Sequence, residues 1–88
     1  MTKYSDVLKR CEKFINNKKL YENTTYCIKD SRYKDCNLYK IGKNPYNELL
    51  ACLYNYFYNL SYTKVIFKGN KIIIHNNDIK YYLYVYSI

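Results

Sequence analysis

Residues Thr63–Ser87 read TKVIFKGNKIIIHNNDIKYYLYVYS, three apolar-rich runs separated by two short polar breaks. Thr63–Phe67, Lys71–His75 and Ile79–Ser87 carry the β-branched and aromatic residues of strands, and Lys68-Gly69-Asn70 and Asn76-Asn77-Asp78 carry turn chemistry. Breaks this short predict an antiparallel meander. With Gly69-Asn70 as a two-residue turn, Phe67 opposes Ile72 and Val65 opposes Ile74. Thr63, Val65, Phe67, Ile72 and Ile74 then share one face. A two-residue second turn adds Ile79, Tyr81, Leu83 and Val85 to that face, so both turns select the same apolar side. The reverse side becomes Lys64, Ile66, Lys68, Lys71, Ile73, His75, Lys80, Tyr82, Tyr84 and Tyr86, a basic and aromatic surface. A three-residue second turn would exchange the faces of the last strand, burying Tyr82, Tyr84 and Tyr86 instead.

Upstream, Gly42-Lys43-Asn44-Pro45 is the clearest punctuation in the chain. Gly42 suits a strand end, Asn44 a helix cap and Pro45 a first helical position. The helix that follows places Tyr46, Leu49, Leu50, Leu53, Tyr54, Phe57 and Leu60 on one apolar arc, the pattern of a core-packing element. From Thr2 to about Asn17, Tyr4, Val7, Leu8, Cys11, Phe14 and Ile15 recur at spacings of three and four, predicting a first amphipathic helix. On its polar side Asp6 and Arg10 are spaced for an ion pair. Between the helices, Thr24–Lys29 and Asn37–Ile41 read as strands of a loose hairpin joined by the polar segment Asp30–Asp35. The expected fold is a single two-layer α+β domain in the order α-β-β-α-β-β-β, both helices lying on the Val65/Phe67/Ile72/Ile74/Leu83/Val85 side of an antiparallel sheet. Strand order does not follow from these signals.

The 88 residues bury one modest core. Fifteen Lys and Arg against seven Asp and Glu give a net charge of +8, which favours polyanions and acidic surfaces. The cations are nearly all Lys, and the chain is rich in Tyr, Asn and Ile, residues with AT-rich codons. Coding bias therefore accounts for part of the pattern and suggests a virus, a phage or a low-GC bacterium as source. The opening Met1-Thr2-Lys3-Tyr4-Ser5-Asp6 lacks a secretory pattern, and Leu49–Leu60 is too short for a bilayer, so an intracellular, cytoplasmic protein without membrane association is expected. Cys11, Cys27, Cys36 and Cys52 form no C-x-x-C pair, which argues against structural zinc. Cys27 and Cys36 could approach across the first hairpin, but free thiols are expected in a reducing compartment.

No catalytic constellation emerges. His75 is the one imidazole and has no evident Cys or carboxylate partner; the carboxylates form no paired acid/base or metal motif; two glycines build no phosphate loop. A binding protein without cofactor or metal is expected rather than an enzyme. Tyr82, Tyr84 and Tyr86 offer stacking surfaces for unpaired bases, and Lys64, Lys68, Lys71 and Lys80 attract phosphates, so single-stranded nucleic acid is the first candidate partner. The same face could instead bind protein, as in a viral or phage accessory protein acting as a stoichiometric inhibitor of a host or defence enzyme that handles nucleic acid. A third reading is a homodimer that buries Ile66, Ile73 and the tyrosines.

Overall fold

The computed structural model describes residues 3–88, so Thr2 of the first expected helix lies outside the described residues. The elements are α1 (Tyr4–Asn16), β1 (Thr25–Asp30), β2 (Asn37–Lys40), α2 (Pro45–Tyr58), β3 (Lys64–Lys68), β4 (Lys71–Asn76) and β5 (Ile79–Ser87). This is the expected α+β order, with boundaries close to those read from the residues. The five strands form one antiparallel sheet in the order β2-β1-β5-β4-β3, so the N-terminal hairpin joins the meander by pairing β1 with β5.

Both meander turns contain two residues. Lys68 pairs with Lys71 and Asn76 with Ile79. Each turn needs a left-handed backbone at its first position, met by Gly69 at φ 61° and Asn77 at φ 57°. Glycine has no Cβ to clash there, and Asn is among the side chains that tolerate it. The register therefore puts Val65, Ile72, Ile74, Tyr81, Leu83 and Val85 into the buried layer, as expected. Two members of the expected core face do not reach it. Ile79, beside the second turn, is 57% exposed, and Thr63 is exposed outside the strand. Thr63 N–H donates to His75 O at 2.7 Å while Lys64 is the register partner of His75. Two residues thus answer to one, a bulge that turns Thr63 away from the core.

α1 buries Val7, Cys11, Phe14 and Ile15, and α2 buries Leu49, Leu50, Leu53 and Phe57, all against the same side of the sheet. Each Leu, Ile or Phe so buried contributes about 1.5–3 kcal/mol. Phe67 fills the seam between the layers, 5.6 Å from the Phe14 ring and 6.3 Å from that of Phe57. α2 starts as its punctuation implies: the Asn44 side chain accepts from Asn47 N–H at 3.3 Å and Pro45 occupies the first turn. Glu48 reaches back to accept the Gly42 N–H, so the strand end and the helix start are tied together.

The expected Asp6–Arg10 pair does not form. Arg10 instead donates to Val65 O at 3.0 Å, because α1 lies along the free edge of β3 and a strand carbonyl there lacks a sheet partner. Among the described residues the one ion pair is Asp30–Arg32. Asp30 belongs to β1 and is buried, rather than opening a solvated connection. Its carboxylate accepts from Arg32 Nε at 3.0 Å, Arg32 Nη2 at 2.7 Å and Arg32 N at 3.0 Å. That fork holds the guanidinium 3.7 Å from the centre of the Tyr81 ring and raises the Arg32 pKa further. The four cysteines are free.

Candidate nucleic-acid interface

Opposite the helices, the sheet presents one side with neither helix over it. Cross-strand register arranges its side chains in rows. Lys64, His75 and Lys80 form one, and Ile66, Ile73 and Tyr82 the next. Lys68, Lys71, Tyr84 and Lys29 form a third, and Tyr86, Cys27 and Leu38 a fourth. Tyr82, Tyr84 and Tyr86 therefore run along β5, the middle strand of the five, spaced about 7 Å apart by the strand repeat. The rings of Tyr82 and Tyr84 lie 6.2 Å apart at 42°.

All seven residues expected to form the site, Lys64, Lys68, Lys71, Lys80, Tyr82, Tyr84 and Tyr86, share this side. They are not equally available. Tyr86 is 46% exposed, whereas Tyr82 and Tyr84 are half-buried. Lys71 Nζ sits 4.7 Å and Lys80 Nζ 5.7 Å from the Tyr82 ring centre, so two of the site lysines rest against one of its tyrosines. Ile73 is buried on this side, between Ile66 and Tyr82 in its row, and Ile66 is half-buried. Little apolar surface at Ile66 and Ile73 is left for a second chain to cover, which removes part of the motive for the homodimer.

The N-terminal hairpin supplies residues that local patterning did not assign to the site. Lys29 pairs with Tyr84, Lys40 with Thr25, and Cys27 lies between Tyr86 and Leu38. With Lys29 and Lys40, the side carries six lysines and one histidine. None of the seven carboxylates occupies a strand position on this side. Asp6 and Glu12 are on α1, Glu48 is on α2, Asp30 points to the core, and Glu22, Asp35 and Asp78 lie in connections. The alternation of Thr25-Tyr-Cys-Ile-Lys-Asp30 already marks Lys29 as opposite in facing to Ile28. What it lacks is any sign that β1 lies beside β5.

Burial pushes the Cys27 thiol pKa up, with hydrogen bonding to Cys36 adding to the rise. Tyr86 is raised through its hydrogen bond with Cys27. These groups are thus held protonated and add no negative charge to the surface near neutral pH. His75 has lysines on both sides in its row and no carboxylate or thiol beside it there. Among the described residues no group of three or more His, Cys, Asp or Glu could hold a metal ion, and no helix is long and apolar enough to cross a membrane.

The arrangement joins a central line of phenol rings to flanking ammonium groups, the two contacts that unpaired bases and phosphates require. Comparison with protein-family models, curated proteins and solved structures finds no match to this chain.

Proposed function

We propose that the protein binds single-stranded nucleic acid across the open side of its sheet. One observation carries the reading: Lys29, Lys40, Lys64, Lys68, Lys71 and Lys80 surround the tyrosine line of β5 with no carboxylate in the strand rows they occupy. Such a surface attracts a phosphate backbone and offers flat rings to bases that are not paired. A duplex hides its bases, so only the charge component would act on it. Tyr86 is the most accessible ring, Tyr84 extends the line, and Tyr82 joins it once Lys71 and Lys80 turn toward phosphates.

Fluorescence anisotropy with labelled single- and double-stranded oligonucleotides, at low and near-physiological salt, tests this. Single-strand binding that survives the higher salt and exceeds duplex binding is the expected result. Binding of both forms that vanishes as salt is raised would reduce the interaction to non-specific charge and overturn the reading.

A protein partner is favoured by a different observation. Leu38 is 60% exposed at the β2 edge and stands in one row with Tyr86, an apolar spot that a phosphate backbone would not cover. Leu38→Ser, which removes the apolar contact without adding charge to the lysine-bearing side, would weaken capture of such a partner and leave oligonucleotide affinity unchanged.

A further inference from the structure

Lys64 and Lys68 belong to the open side by register, yet both also line a cleft of about 700 Å³ between α1 and the free edge of β3, opposite Arg10 and Lys13. We infer that this cleft takes phosphodiester groups of the same single strand, carrying its backbone around the β3 edge and off the sheet. The inference rests on the nucleic-acid reading above and extends it to a second surface.

Three features favour an anion. Four cations converge on the cleft from two elements, and no Asp or Glu lines it. The two-residue hairpin makes Lys68 and Lys71 a hydrogen-bonded pair, so the alternating residues Val65 and Phe67 direct their peptide groups outward to the free edge. Arg10 confirms that direction by donating to Val65 O at 3.0 Å. The outward N–H groups of Val65 and Phe67 are thereby placed beside the cations as further donors to phosphate oxygens. Arg10, fixed by the carbonyl, is held in place, while Lys13 is exposed one turn further along α1 and free to follow a flexible ligand.

The test is a titration of isotope-labelled protein with a thymidine oligomer of roughly ten nucleotides, within the usual range for single-strand binders, followed through backbone amide shifts. Perturbation at Val65 and Phe67 together with Tyr82 and Tyr84 is expected. Shifts confined to Tyr82, Tyr84 and Tyr86 would overturn the cleft and leave the sheet-side reading standing. Shifts confined to the cleft would overturn the sheet-side reading and with it a path that leads off the sheet, and no shifts at all would overturn both. As a second measurement, Lys13→Gln, at a solvent-facing position, should lower the slope of log affinity against log salt by about one. An unchanged slope would remove Lys13 from the path and sink the proposal.

Discussion

Lys71 holds its ammonium group 4.7 Å from the centre of the Tyr82 ring. Lys71 is the register partner of Tyr84, so it reaches diagonally to the neighbouring ring, and Lys80 approaches the same ring at 5.7 Å. A base that stacks on Tyr82 must displace a cation–π contact worth about 0.5–1 kcal/mol at an accessible site. Among the described residues no cation sits over the Tyr84 ring, although that ring is half-buried in the same line.

Tyr84→Ala should therefore weaken single-strand binding by about 1–3 kcal/mol, the range for loss of one stacking ring. Tyr82→Ala should weaken it less. Anisotropy titrations of the two variants, with circular dichroism to show that the sheet persists, check the order. Equal affinity for both variants and the wild type would remove stacking on β5.

Asp30 and Arg32 give an asymmetric pair of stability effects. The Asp30 side chain is 6% exposed and the Arg32 side chain 32%. Arg32→Ala leaves a buried carboxylate with only the backbone N–H of residue 32, a loss of about 3–5 kcal/mol. Asp30→Ala leaves a guanidinium that water can reach, so its cost should be smaller, about 1–3 kcal/mol. Urea unfolding of both variants measures the difference, and a larger loss for Asp30→Ala would contradict it.

Alkali should destabilise the fold between about pH 9 and 12. Burial, with Glu12 adding to it, pushes the Cys11 thiol from 9.0 up to about 12. Burial and the hydrogen bond from Tyr54 Oη to Glu12 push Tyr54 from 10.0 up to about 12. Both groups bind their protons more tightly when folded. Their contribution is complete below the unfolded pKa and disappears as pH rises through the folded one. Unfolding midpoints measured across this range should fall, and Cys11→Ala, though less stable at neutral pH, should show a shallower decline.

Removing a Cβ at one meander turn and adding one at the other should have opposite effects. Asn77 pays a left-handed strain that glycine does not, so Asn77→Gly should be neutral or stabilising by up to about 1 kcal/mol, and Asn77→Ala destabilising. Gly69→Ala should cost about 1–2 kcal/mol although nothing lies within 4 Å of the added methyl, because the cost is in the backbone. Thermal unfolding would show it.

The sequence by itself determined the elements and the facing of the meander. Two-residue turns at Gly69-Asn70 and Asn77-Asp78 couple each strand to the next, and with a side-chain period of two a fixed turn length decides which residues are buried. Asn44, Pro45 and the apolar arc of α2 are equally local signals, complete within a few residues. Only the tertiary structure decided that β1 lies against β5, pairing Lys29 with Tyr84 and Cys27 with Tyr86 across more than half the chain. No turn specifies such a pairing; it follows from which arrangement of the hairpin and meander best buries Tyr26 and Ile28 beneath the helices. The same docking took Arg10 from Asp6 to the Val65 carbonyl and set Arg32 against Tyr81. Both partners lie some fifty residues away, where local spacing carries no information.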